Sequence, residues 1–276
     1  MNVIPAKAGI QKQSLIRLDP RLRGDDKREG LTMKTIQEIK QFGIFLKKIV
    51  RSSRGKVEYK NILNESFMIG VESLPIVIFV SAFIGTNLAL QGYNAFKSIG
   101  GQNLVGIFVS LAGLREMAPI VAGAMVGAKA GSAIAANLAT MKIKEQIDAL
   151  EVMSVDPIAY LVIPKFIAII ITLPLLVLIA NFFCIFSGYY VAIYQLNVGS
   201  GIFLDNIRTF TSLSDVLIGL IKGLTFGLTI CMVSCYCGFH SDPGPEGVGR
   251  ATNRAVVVGC VLCIVLNYFV TAIFYD

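Results

Sequence analysis

From Phe166 to Ile193 the chain carries no charged side chain. About 20 consecutive apolar residues let a helix cross the hydrocarbon core of a bilayer, whereas a membrane strand needs only about 9–11. Lipid offers the backbone no hydrogen-bonding partner, so a run of this length is expected to satisfy its own amides as a helix. Four other stretches read the same way. Together they predict spans at about 74–90, 104–139, 166–193, 216–239 and 255–274. Charged residues make up 16% of the chain, against roughly 25% in a soluble domain, and the mean hydropathy is +0.68. The expected class is an all-α membrane protein with about five transmembrane helices.

The formal net charge of +7 would suit a nucleic-acid binder, but its distribution does not. Fifteen of the 25 Lys and Arg precede Phe67, flanking the first span. Such a bias marks the cytoplasmic side, and no nucleic-acid partner is expected. Lys142, Lys144, Lys165, Arg250 and Arg254 fall in the loops assigned inside, with only Lys97 and Arg208 outside. Five crossings then put the N-terminus in the cytoplasm and the C-terminus outside.

Residues 1–32 have neither a secretory apolar core nor sustained periodicity, and they read as a disordered or non-native extension before Met33. Over residues 34–50, Ile36, Ile39, Phe42, Leu46 and Ile49 recur at spacings of three and four among lysines. This pattern predicts a basic amphipathic helix lying in the membrane interface.

The stretch 104–139 is too long for one simple crossing, because at 1.5 Å per residue it would extend about 54 Å. Either the helix runs beyond the bilayer or it breaks, and Pro119 is the expected break. Gly123, Gly127 and Gly131 form one ridge of small residues, and Gly219, Gly223 and Gly227 form a second. Both suit close helix packing.

Charges inside a bilayer are candidates for function. Arg115 and Glu116 lie about 16 Å into the second span, near the midplane if that span starts at Leu104. They point about 100° apart on a helix, so each needs another partner. They are either pins between helices or the polar lining of a substrate path, together with Lys222 and Asn181. Lys222 either snorkels outward or faces the cavity. Residues 142–153 then predict a surface helix. Ile143, Ile147 and Leu150 form its apolar stripe, flanked by Lys144, Glu145, Asp148 and Glu151, and such a helix suits a groove on a soluble partner.

Other chemistries find little support. Cys260 and Cys263 lie within an apolar span without a second pair, and His240 is the lone histidine, so no metal site is expected. His240 with Asp242 is too weak a pairing to carry catalysis in a lipid-modifying enzyme, and no catalytic residue is assigned. An ion-driven secondary transporter would favour two matching halves, which five spans do not provide.

The run LREMAP, followed by GAKAGSAIAANLATMKIKEQIDALEVMSVDPIAYLVIPK, resembles the signature of the MlaE family of ABC-transporter permeases. GFHSDPGPEGVGRATNRAVV resembles the loop before that family's last span, and LIKGLTFG resembles its fourth. The similarity covers 33–276. Met117 and Ala118 stand where the family pattern has Leu and Gly, and Lys129 stands where it has Arg. The resemblance implies a bacterial inner-membrane homodimer. It implies two P-loop ATPase subunits that bind ATP and Mg, a periplasmic MCE-domain protein and phospholipid as substrate. This chain itself lacks G-x-x-x-x-G-K-[ST], so no cofactor is expected on it. On this resemblance, the helix at 142–153 is the coupling helix.

Overall fold

The computed structural model describes residues 40–49, 51–52 and 59–275. The chain divides into two compact units, Met1–Phe45 and Leu46–Asp276. In the first unit residues 40–45 are helical, and in the second so are 46–49 and 51–52. The expected extension at 1–32 and the start of the expected interfacial helix lie outside the described residues.

The rest of the second unit is helical, without a strand among the described residues. Five helices are long and apolar enough to cross a membrane. They are α1 (Tyr59–Lys97), α2 (Gln102–Ile143), α4 (Ile158–Tyr194), α6 (Leu213–Phe239) and α7 (Pro245–Tyr275). Two short helices lie between them, α3 (Gln146–Val152) and α5 (Ser200–Phe210), at opposite ends of the bundle. Local signals set several boundaries. A single 3₁₀ turn at Val71–Ser73 interrupts α1. Pro75 follows in the first turn of the apolar part, where its missing amide costs nothing. Asp156 Oδ1 accepts the Ile158 amide where α4 begins. Ser212 and Asp215 form a capping box at the start of α6.

Glycine ridges set the packing. A Cβ on Gly123 would come within 2.9 Å of Phe226, and one on Gly131 within 3.0 Å of Ser234, with Ile230 over Gly127 between them. The α2 ridge thus receives side chains one turn apart on α6. The second ridge faces α4: Gly219 lies against Asn181, Gly223 against Val177 and Pro174, and Gly227 against Leu173. Lipid tails are as apolar as the side chains, so such close fits, rather than water exclusion, hold spanning helices together. The tightest approach is between α1 and α4, where a Cβ on Gly85 would overlap the Cys184 carbonyl.

Of the two readings of this stretch, the long continuous helix holds and the break at Pro119 does not occur. α2 runs 42 residues as one helix, which corresponds to about 63 Å. A π-helical segment, Val109–Met117, precedes the proline, and the Ala118 amide bonds to Gly113 O, five residues back. The helical hydrogen bonding thus continues past the proline in a wider register. A second π segment, Gly127–Gly131, contains Lys129.

The expected helix over 142–153 is also interrupted. α2 ends at Ile143, and Glu145 adopts a left-handed conformation at φ 56° before α3 starts at Gln146. Nothing in the composition of Lys142–Gln146 announces a turn. The turn separates Ile143 from the stripe, and Ile147 is buried against the protein's own bundle. Leu150 is half-buried. From α3 onward the exposed large apolar side chains are instead Val152 and Met153, at 87% and 70% exposure.

Candidate functional site: two ion pairs between α2, α6 and α7

Arg115 and Glu116 lie in the first π segment of α2, and each finds its partner on α6. Arg115 meets Asp215 in a fork, with Nε 2.8 Å from Oδ1 and Nη2 3.2 Å from Oδ2. Glu116 Oε1 lies 3.0 Å from Lys222 Nζ. The 100° between neighbours therefore directs the two side chains to different turns of α6. Lys222 also donates to the Arg115 carbonyl at 2.6 Å. In an α-helix that carbonyl would accept the amide of residue 119, which is a proline and has none. The proline thus frees an acceptor that a buried lysine uses.

From α7, Asn267 Nδ2 donates to Glu116 Oε2 at 2.7 Å and Thr271 Oγ1 donates to Oε1 at 2.9 Å. Asp215 is held a second time by the Ser212 amide and hydroxyl. Each pair has one enclosed member and one open one. Lys222 is fully buried and Asp215 nearly so, while Arg115 and Glu116 are about one-third exposed. A charge enclosed in an apolar bundle is tolerated only with a close, hydrogen-bonded counter-charge, and both enclosed members have one.

Of the two readings left open for Lys222, snorkelling outward does not hold, since the side chain is enclosed and paired. The cluster also sits nearer one end than halfway. Asp215 is in the first turn of α6, and Lys222 is about 13 Å from that helix's start. Depth counted from Leu104 misleads because α5 packs over the beginning of α2. There Asn206 donates to the Asn103 carbonyl at 2.6 Å and Phe203 covers Gly106.

Asn181 lies behind the cluster. It is buried on α4 against Gly219, and its Oδ1 has no hydrogen-bond partner. Sequence reasoning missed Asp215, Asn267 and Thr271. Ser212-x-x-Asp215 carries the capping-box signal, and Asn267 and Thr271 stand four residues apart, on one face of an otherwise apolar span. Lys144, Glu145, Asp148 and Glu151 are exposed around α3 and far from this cluster in the chain's fold, at the opposite end. Among the described residues no group of His, Cys, Asp and Glu is placed to hold a metal ion.

The profile of the family described as permease MlaE matches residues 62–273. A probable ABC transporter permease protein of Rickettsia typhi is 43% identical over 214 residues, 78% of this chain and 83% of the relative. The intermembrane phospholipid transport system permease protein MlaE of Haemophilus influenzae is 33% identical over 78% of this chain and 82% of its own. A chloroplastic protein of Arabidopsis thaliana, TRIGALACTOSYLDIACYLGLYCEROL 1, is 30% identical over 83% of this chain and 65% of its own. The matched region runs from within α1 to within α7 and includes both ion pairs, and on these similarities the chain is a multi-pass membrane protein that belongs to the MlaE family of ABC-transporter permeases.

Proposed function

We propose that this permease moves phospholipid between the inner membrane and the cell envelope, and that Arg115 and Glu116 contact the lipid headgroup. One observation carries the reading: two adjacent residues, a cation and an anion, are each about one-third exposed and each backed by an enclosed counter-charge. A headgroup with a phosphate and an amine is the complement of such a pair. The Haemophilus influenzae relative's name supports the substrate class.

The energy comes from two P-loop ATPase subunits that bind ATP and Mg. The end carrying α3 faces the cytoplasm, since Lys142, Lys144, Arg250 and Arg254 gather there while Lys97 and Arg208 lie at the α5 end. The N-terminus is then cytoplasmic and the C-terminus periplasmic. α3 seats in an ATPase groove, with Val152 and Met153 as apolar anchors and Lys144, Glu145, Asp148 and Glu151 as the charged rim. The chain works as a homodimer, for which the exposed face of α7 with Ile264, Tyr268 and Phe269 offers a surface. A periplasmic MCE-domain protein exchanges the lipid.

The test is ATP-dependent transfer of labelled phosphatidylethanolamine by the permease reconstituted with its ATPase and MCE protein. Transfer of that lipid, and none of labelled diacylglycerol, which lacks the headgroup charges, is the expected result. Equal transfer of both lipids would remove the headgroup from the mechanism. For coupling, Met153→Asp is expected to lower ATPase recovery in a detergent pull-down at least tenfold. Unchanged recovery would take α3 out of the contact.

A further inference from the structure

A second set of ion pairs lies at the α3 end of the bundle. Lys165 Nζ, 4% exposed at the start of α4, donates to Glu65 Oε1 on α1. Lys129 Nζ, from the second π segment of α2, donates to the Glu72 carbonyl and lies 3.8 Å from its Oε2. These four side chains, with Asn137 and apolar groups such as Met68 and Ala133, line a cavity of about 210 Å³.

Its depth follows from the sequence. After Glu72 the chain carries no charge until Lys97, and after Lys165 none until Asp205. Two helices therefore enter their charge-free runs at the level of this cavity, which puts it at the boundary between headgroups and hydrocarbon. The volume is below the ~300 Å³ at which pockets begin to take whole drug-sized ligands, so a headgroup fits and acyl chains must leave it. Next to the cavity, Met68 and Val71 are exposed, and Phe79 and Phe83 continue the apolar surface along α1.

From this geometry we infer that the cavity is a binding site for the headgroup of a zwitterionic aminophospholipid, separate from the Arg115–Glu116 cluster. Two carboxylates and two ammonium groups sum to zero, and a net-neutral ligand leaves that balance intact. The phosphate joins Lys129 and Lys165, and the amine meets Glu72 and Glu65. An anionic headgroup would bring its charge against both carboxylates without an amine to compensate. Lys129 and Glu72 are each about 40% exposed or more, so their pair opens readily, whereas the enclosed Lys165–Glu65 pair fixes the floor. The site stands independently of the transport reading, because it concerns binding alone.

The experiment is native mass spectrometry of the full chain, purified from nanodiscs containing equal phosphatidylethanolamine and phosphatidylglycerol, and counting lipids retained through a detergent wash. All counts are made in a Glu116→Gln/Lys222→Gln background, which removes the headgroup contact at the other cluster without leaving an unmatched charge. One phosphatidylethanolamine per chain is expected, at least fivefold enriched over phosphatidylglycerol, and 10-fold less of it in Ala133→Trp, which fills the cavity from its exposed wall. Lys129→Gln is expected to lower retention at least threefold. Melting curves of each variant identify any that fails to fold, and Asn137→Leu then replaces it with the same expected loss. Equal retention with and without Ala133→Trp in that background would overturn the inference. So would equal retention of the two lipids, or displacement of the lipid by millimolar inorganic phosphate, which would make this a site for a free anion.

Discussion

The two charged clusters use the same parts and differ in closure. Both draw on a π-helical segment of α2, one for Arg115 and Glu116 and the other for Lys129, and both contain a nearly inaccessible lysine. π segments widen a helix locally and occur often at functional sites. In the α6-side cluster, Glu116 is held by Lys222, Asn267 and Thr271 together, so three helices meet on one carboxylate. At the α3 end the pairs are side by side around an open volume, and Lys129–Glu72 is loosely spaced at 3.8 Å. Composition alone does not separate them. The number of neighbouring elements that donate to each charge does, and it makes one cluster a joint and the other a receptacle.

The largest expected effect lies in the joint. Glu116→Ala strands the enclosed Lys222, and losing one partner of a buried pair costs about 3–5 kcal/mol. A marked fall in the thermal midpoint of the detergent-solubilised protein reads it out. Glu72→Ala, in the receptacle, removes a partner from a half-exposed lysine. Its expected change is within about 1 kcal/mol. Similar midpoints for the two variants would erase the distinction.

How much of this was legible beforehand follows from the range of each cause. The five spans come from hydropathy, a property of contiguous residues, and the all-α membrane class followed directly. The need of Arg115 and Glu116 for separate partners came from helical geometry alone. Their actual partners did not, because Asp215 and Lys222 lie about a hundred residues away and only packing selects them. Between a helix running beyond the bilayer and a break at Pro119 the sequence could not choose, because the π register that precedes the proline is set by packing. The turn at Glu145 was missed because a left-handed residue in that place is a tertiary outcome, with no glycine or asparagine to signal it.

An intermediate effect tests the three-helix joint. Thr271→Val removes one hydrogen bond to Glu116 while keeping its shape. Hydrogen bonds between spanning helices contribute about 0.6 kcal/mol on average and at most about 1.7. A midpoint shift in that range is expected. No shift would leave α7 outside the joint.

The smallest effect is a pH dependence at the α3 end. His240 follows α6, and its ring lies 4.3 Å from that of Tyr236 at a tilt of 30°, with Nδ1 3.0 Å from that residue's carbonyl. Burial, with Lys142 and Lys48 nearby, holds its pKa below the ordinary histidine value of 6.5. A histidine whose folded pKa is lowered contributes stability that is present above the unfolded pKa. That contribution fades as pH falls through 6.5 toward the folded value. A small loss of midpoint between pH 7 and pH 5 is expected in the native chain and a smaller one in His240→Gln. Identical pH profiles would remove His240 from the stability of that end.

The most direct test of the central claim separates a joint that merely holds helices from one that also meets the headgroup. Glu116→Gln and Lys222→Gln each leave an unmatched charge, while the double variant restores neutrality with similar volume. Phospholipid transfer by the reconstituted complex is measured in a double-mutant cycle, alongside the thermal midpoint. The account predicts that the double variant recovers most of the lost midpoint and still binds the ATPase, yet transfers lipid at least tenfold more slowly than the native chain. Native transfer by the double variant would contradict it, leaving Arg115 and Glu116 as pins between helices and nothing more.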